Sequence, residues 1–397
     1  MLINAMRMEY VMKVLITSDW YLPTVNGVVT SIQNLRDELI KQGHEVRIVT
    51  LSSTFKTYKK DNVYYIGSVS ADHIYPEARL RTKRMKKVMR HIEEWGPEVV
   101  HSQCEFSTFA FAKRISKELN IPLVHTYHTV YEDYTHYIVP SRIIGRTIVS
   151  NLSRNVAKKC DAMIVPTAKV KTLLEGYKIK KPIHVLPTGI VLDKFQEEGL
   201  DDCGKTIRKS MGYKEDEIVL AAIGRLAKEK NTIEIMRIVS KMEKDVKLMI
   251  VGDGPYRENL EEKAKKLPNN HRFNFVGMVL PTEVPKYYRA GNLFVCGSTS
   301  ETQGLTYVEA LASGLPILCK KDDCLNELVI EGYNGWQYET ADEFIEKLTK
   351  YVNMSKEEKE KLSVNALETA ERYSSKTFAK NAVEIYTKYI EENKKDK

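Results

Sequence analysis

The sequence lacks any apolar run long enough to cross a bilayer, which takes about twenty residues, so no membrane-spanning helix is expected. Its first stretch, Met1 to Met12, lacks the apolar centre and small-residue cleavage site of a secretory signal. It reads as a short extension ahead of a first strand at Lys13, and the expected location is cytoplasmic. Cysteine is sparse: six residues, at 104, 160, 203, 296, 319 and 324, form no CxxC pair and no Cys/His cluster of zinc spacing. Reduced, partly buried thiols are expected instead of disulfides or structural zinc. Low-complexity segments and internal repeats are also missing. Acidic residues run short in one half. Through Ile190 there are 28 Lys+Arg against 17 Asp+Glu, whereas the remainder has 33 against 36. A basic first half beside a near-neutral second half points to an anionic partner of the first, a membrane surface or nucleic acid. No nucleic-acid-binding module is recognisable, and nucleic acid is not expected as a partner.

What the chain does have is 397 residues, enough for two ordinary domains with a core each. Short apolar runs at Val14–Ser18, Val46–Leu51, Val99–His101, Leu123–His125 and Ala162–Pro166 alternate with segments of helical periodicity. After Ile190 the pattern restarts, with runs at Ile218–Ile223, Lys247–Val251, Arg272–Val276, Leu293–Cys296 and Ile317–Cys319. Such alternation predicts an α/β chain of two Rossmann-like, doubly wound domains, 1–190 and 191–375, facing a central cleft. The turn-rich stretch Pro187–Gly204 is the expected linker. A charged helix at about 376–397 is expected to run along the surface and back to the first domain. Open parallel sheets bind ligands beyond the carboxyl ends of their strands, so the strand-end loops are where chemistry is sought.

Four such loops stand out. Asn26-Gly27, after the first strand, opens a helix and suits a backbone that turns sharply toward a bound group. Gly224-Arg225 with Lys230 places a guanidinium and an ammonium beside a strand-end glycine, as a diphosphate requires. Gly252-Asp253-Gly254 is half of a dinucleotide fingerprint, too little to argue for a nicotinamide enzyme, and reads as a turn. The fullest segment runs from Glu301 to Pro316. A helix is expected from about Leu305 to Ser313, capped by Gly314 and closed by Pro316, with Glu301 in the preceding loop and Glu309 one turn inside. The free N–H groups at Gly304, Leu305 and Thr306 could hold phosphate oxygens. Glu309 could accept from a ribose diol, and Glu301 from sugar hydroxyls.

The two glutamates with seven residues between them, the Gly224-Arg225…Lys230 loop and the Asn26-Gly27-Val28 loop, in that arrangement along the chain, resemble the retaining family 4 glycosyltransferases of GT-B fold. Within that family, the stretches His101–Ser107 and His125–Tyr137 are similar to bacterial 1,2-diacylglycerol 3-glucosyltransferases, which use UDP-glucose. The resemblance implies that Arg225 and Lys230 bind the donor diphosphate, Glu309 the ribose and Glu301 the sugar hydroxyls. It implies backbone donors at Gly304, Leu305 and Thr306, a donor-side role for Gly27, and His128 beside the reacting sugar. His128 and Glu301 are then the expected catalytic residues. The chain departs from the family at Lys320–Glu327, where the usual glycine pair is missing. The resemblance also implies a nucleotide sugar as a substrate, a diacylglycerol or other lipid as acceptor, and no permanently bound cofactor. No metal is expected in the Asp201-Asp202 or Asp322-Asp323 pairs, which sit in turn-like contexts, and magnesium use stays open. Alternatives are another donor such as GDP-mannose, another acceptor, or sugar-nucleotide epimerisation.

A helix is expected from about Arg79 to Trp95, with Met85, Val88, Met89, Ile92 and Trp95 on one side. Its cations Arg79, Arg81, Lys83, Arg84, Lys86, Lys87 and Arg90 suit an anionic membrane surface, which would place the protein peripherally on the inner face of the cell membrane. The competing reading packs the same apolar stripe on the first sheet. Arg142–Lys159 is a second basic, amphipathic segment.

Overall fold

A computed structural model of the chain describes residues 10–24, 26–71, 79–81, 85–130 and 142–395. The chain divides into two compact units, residues 1–189 with 375–397 and residues 190–374. In the first, β1 (Lys13–Thr17) leads to α1 (Gly27–Lys41), β2 (Glu45–Leu51), β3 (Tyr58–Lys60) and β4 (Val63–Ile66). A small antiparallel pair, β5 (Ser68–Ser70) and β6 (Arg79–Arg81), precedes α2 (Lys86–Trp95). Then come β7 (Val99–Ser102), α3 (Ser107–Leu119), β8 (Leu123–Thr126), α4 (Arg142–Ala157), β9 (Ala162–Val165), α5 (Ala168–Gly176) and β10 (Ile183–Val185). The main sheet runs β10-β9-β8-β7-β1-β2-β4-β3, parallel except for the β3–β4 pair.

Its strands are buried on both faces, and successive residues serve opposite cores. Val14 and Ile16 of β1 pack with Val29, Ile32, Leu35 and Leu39 of α1. Leu15 packs on the other face, with α2 and with Phe111, Ala112 and Ile115 of α3. Asn26 starts α1 by accepting the Val29 N–H at 2.9 Å. Asp19, at the end of β1, does the same for α3. It accepts from the N–H groups of Ser107 (3.0 Å) and Thr108 (2.7 Å) and from the Thr108 hydroxyl.

The basic segment differs from the expected single helix. Arg79–Arg81 is strand, paired with Ser68–Ser70, and the helix begins only at Lys86. The Arg79 side chain is engaged inside the unit, donating to the Ser52 and Ser53 carbonyls and the Ser68 hydroxyl. Lys83 and Arg84 lie outside the described residues. Met85, Val88, Met89, Ile92 and Trp95 are buried on the sheet, so this stripe is not available to a bilayer. Lys86, Lys87 and Arg90 are exposed.

In the second unit, α6 (Leu200–Ser210) and β11 (Ile218–Ile223) are followed by α7 (Thr232–Lys241), β12 (Val246–Val251), α8 (Arg257–Lys266) and β13 (Phe273–Gly277). The series continues with α9 (Val284–Ala290), β14 (Leu293–Cys296), α10 (Leu305–Ala312), β15 (Ile317–Lys320), β16 (Gly335–Tyr338), α11 (Ala341–Asn353) and α12 (Lys356–Glu371). Its six-stranded sheet, β13-β12-β11-β14-β15-β16, is parallel throughout.

The last helix, α13 (Ser375–Lys395), is no mere surface tail. Phe378, Ala379, Ala382, Tyr386, Tyr389 and Ile390 are buried in the first unit's core beside α1. Its Tyr386 hydroxyl lies 2.6 Å from His101 Nδ1, whose other nitrogen is 2.6 Å from the Thr126 hydroxyl. Burial, reinforced by His128 and His125 nearby, holds the His101 imidazole well below its ordinary 6.5. The folded unit therefore refuses a proton that the unfolded chain accepts. This stabilisation is present above about pH 6.5 and declines as the pH falls, by about 1.4 kcal/mol per pH unit at most. Melting temperatures recorded between about pH 7 and pH 5 should fall with pH, and His101→Gln should flatten that slope whatever its effect on the absolute Tm.

Candidate functional site

In the second unit, the loops after β11 and β14, neighbouring strands, bring together residues that the sequence singled out. Gly224 adopts φ +147° at the end of β11, and Gly252, φ +130°, approaches it so closely that an added Cβ would run into the Gly224 carbonyl. The Gly252-Asp253-Gly254 turn thus buttresses the Gly224–Leu226 loop, with the Leu226 N–H donating to the Asp253 carbonyl at 2.9 Å. Thr306, in the first turn of α10, lies against Gly224, and a Cβ there would stand 3.6 Å from its methyl group. Arg225 is exposed on the same loop, its carbonyl accepting the Ala227 N–H at 3.1 Å.

Lys230 ends a short 3-10 turn, and its ammonium lies 2.5 Å from Glu301 Oε1. Burial pulls the ammonium down, but the Glu301 carboxylate more than offsets this and the pKa is raised. Glu301 is buried in the loop before α10. Its backbone N–H donates to Asp322 Oδ2 at 3.3 Å, while Asp322 Oδ1 caps the next turn through the Cys324 N–H at 2.9 Å. Asp322 in turn donates its own N–H to Gln337. The loop that departs from the family pattern therefore holds Glu301 in place. That role was invisible in sequence, since a separation of some twenty residues carries no local signal.

Helix α10 begins where expected. Gly304 adopts φ +75°, and an added Cβ would come within 2.5 Å of the Tyr307 ring, so only glycine fits. The first-turn N–H groups at Leu305 and Thr306 have no intrahelical acceptor, as at any helix start. Glu309, one turn on, is partly buried. Burial raises its carboxyl pKa, while Lys194 and the Tyr288 hydroxyl pull it back. That hydroxyl lies 3.1 Å from both Glu309 Oε2 and the Thr306 carbonyl oxygen. Sequence reasoning missed Tyr288 and Lys194, since neither belongs to a motif.

In the first unit, the ends of β7 and β8 gather a second group. His128 Nε2 lies 2.6 Å from Gln103 Oε1, and His125 Nε2 lies 3.3 Å from Glu105 Oε1. Burial depresses His128 to about 4, with Glu105 acting against this and His125 with it. At neutral pH its imidazole is uncharged, and with Nε2–H donating to Gln103, Nδ1 is left an acceptor. Gly27 is the first residue of α1, with no left-handed backbone, so the turn into the helix is made by Asn26 and not by the glycine. Around it an added Cβ would meet nothing within 4 Å. The stretch 131–141, which includes much of His125–Tyr137, lies outside the described residues. Asp201 and Asp202 engage Arg289 and Lys205. Among the described residues no cluster of three or more His, Cys, Asp or Glu could hold a metal, and no helix is long and apolar enough to cross a membrane.

Comparison with known proteins gives this geometry a family. Residues 25–194 match the family described as Glycosyltransferase Family 4, and residues 205–369 match Glycosyl transferases group 1. The chain is 37% identical over 332 residues to an alpha-monoglucosyldiacylglycerol synthase of Streptococcus pneumoniae, covering 82% of this chain and 75% of the relative. It is 30% identical over 400 residues to the enzyme of that name from Acholeplasma laidlawii, covering 97% and 99%. Among solved structures, HepE of Anabaena, crystallised with UDP-glucose, superposes with TM-score 0.72 at 16% identity, covering 95% and 100% of the two chains. Sucrose-phosphate synthase from Thermosynechococcus elongatus gives 0.73 at 17%, covering 95% and 98%. These two establish the fold alone. With both family matches and two relatives at 30% or more, the chain belongs to the family 4 glycosyltransferases and is a hexosyltransferase of GT-B fold.

Proposed function

We propose that this enzyme transfers glucose from UDP-glucose to diacylglycerol at the inner membrane surface, with retention at the anomeric carbon, forming an α-monoglucosyl lipid. The names of the Streptococcus and Acholeplasma relatives support the lipid acceptor and the glucosyl group. The UDP-glucose held by the HepE structure supports the donor class. The observation that carries the reading is the meeting of Gly224, Lys230, Glu301 and the start of α10 at two adjoining strand ends.

In this reading Arg225 and Lys230 would neutralise the diphosphate, and the N–H groups of Gly304, Leu305 and Thr306 would receive its oxygens. These charges and dipoles matter most as the bond to the sugar breaks, because negative charge then grows on the departing phosphate. The acceptor hydroxyl oxygen would bond to the anomeric carbon on the face the diphosphate leaves. The electron pair of the broken bond would go to the phosphate oxygen, which takes the hydroxyl proton. No carboxylate nucleophile is required, and the two glutamates would bind hydroxyls, Glu309 those of the ribose and Glu301 those of the sugar. His128, neutral and oriented by Gln103, would accept from a sugar hydroxyl through Nδ1. Gly27 would let the donor approach the α1 terminus.

A donor panel of UDP-glucose, UDP-galactose and GDP-mannose with diacylglycerol in mixed micelles tests the reading. A glucosylated lipid from UDP-glucose is expected, and no lipid product from any donor would overturn it. Glu309→Ala should weaken UDP binding by calorimetry about tenfold or more, the worth of a charged hydrogen bond. An unchanged Kd would remove the ribose assignment. Asp322→Ala, which frees the Glu301 backbone, should lower kcat about tenfold while leaving UDP affinity nearly unchanged. Equal losses in kcat and UDP affinity would mean that Asp322 supports the whole unit and not Glu301.

A further inference from the structure

The helix expected to meet the membrane spends its apolar stripe on the protein's own core, while α4 does the reverse. We propose that the N-terminal half of α4 is the element that inserts into an anionic bilayer, with Ile143, Ile144 and Ile148 as the inserted groups. These three side chains are 80%, 53% and 52% exposed. They span about 140° of the helical wheel, opposite the face through which α4 is anchored. That inner face is occupied by Val149, Val156 and Ala157, which are buried in the unit's cores.

Three features select a lipid surface as the occupant. First, charge: from Arg142 to Cys160 there is no acidic residue, while Arg146, Lys158 and Lys159 are exposed along the same helix and its end. The cations can stay at headgroup level while the isoleucines go deeper. Second, size: three side chains make a patch far smaller than the roughly 1,200 Å² that a specific protein interface buries. They suit shallow insertion of an amphipathic helix helped by basic residues. Third, polar satisfaction: the hydroxyls on and beside this face are already bonded to the helix itself. Thr147 donates to the Ile143 carbonyl at 2.9 Å and Ser150 to the Thr147 carbonyl at 3.2 Å. These two hydroxyls can therefore leave water without losing their partners.

The inference deepens the lipid-substrate reading by naming what meets the bilayer. Vesicle binding needs no turnover, so the two ideas fail separately. The full chain is sedimented with vesicles of phosphatidylcholine alone or mixed with phosphatidylglycerol. Wild type should bind the mixed vesicles, and Ile143→Ser/Ile148→Ser should reduce the partition coefficient about tenfold or more, with Tm and UDP affinity retained. An Ile148→Trp variant should show a blue-shifted emission on mixed vesicles and quenching by brominated acyl chains. Binding by the double variant equal to wild type would overturn the proposal. So would an indole that stays in water while the Ile148→Trp protein sediments, which would move docking to Lys86, Lys87 and Arg90. A lipid-free protein whose sedimentation mass falls in the double variant would mark the face as a self-association surface, also overturning it.

Discussion

A parallel sheet in water cannot show either face, because its strands are apolar on both sides and its pleat offers no polar row. Both units obey this constraint, and it decides where everything else can go. Helices must cover each face, so their apolar stripes are spoken for: α1 and α13 on one side of the first sheet, α2 and α3 on the other. Polar chemistry is driven to the strand ends, where backbone groups run out of ladder partners. Asp19, His101, Gln103, His125 and Glu301 all sit there, Asp19 tied by hydrogen bonds to the start of α3 and the other four to the end of a neighbouring strand.

The second unit shows how such ends become a charged site without a large cost. Lys230 and Glu301 satisfy one another, and Asp322 fixes the backbone of Glu301 from a third strand. Glycines at 224, 252 and 304 adopt conformations a side chain would forbid, which lets the loops approach one another and the helix start. Charges, helix dipole and backbone donors are thus assembled before any substrate arrives, which is the kind of preorganisation that transition-state stabilisation demands.

Much of this was legible in the order of residues. The start of α10 was readable because Gly304 before the helix and Gly314 and Pro316 after it are local punctuation of a helix. The alternation of strands and helices was readable because burial on both faces leaves continuous apolar runs. What could not be read was contact across the chain, such as Tyr288 against Glu309 or Asp322 against Glu301. The fate of an amphipathic stripe was equally hidden. Periodicity marks a face as apolar but says nothing of whether a sheet or a bilayer covers it, and the stripe of α2 is covered by the sheet. Charge was no better guide: Arg79 looked like a membrane cation and instead ties two loops together.

The return of α13 to the first unit has a consequence for the order in which the protein is made. Phe378, Tyr386 and Ile390 complete a core whose other members, among them Val29 and Leu35, leave the ribosome hundreds of residues earlier. The second unit ends at Ser374 and has all its residues before that core is closed. Synthesis from the N-terminus therefore finishes the later-encoded unit first, and the earlier one waits, with apolar surface open, for the last helix to emerge.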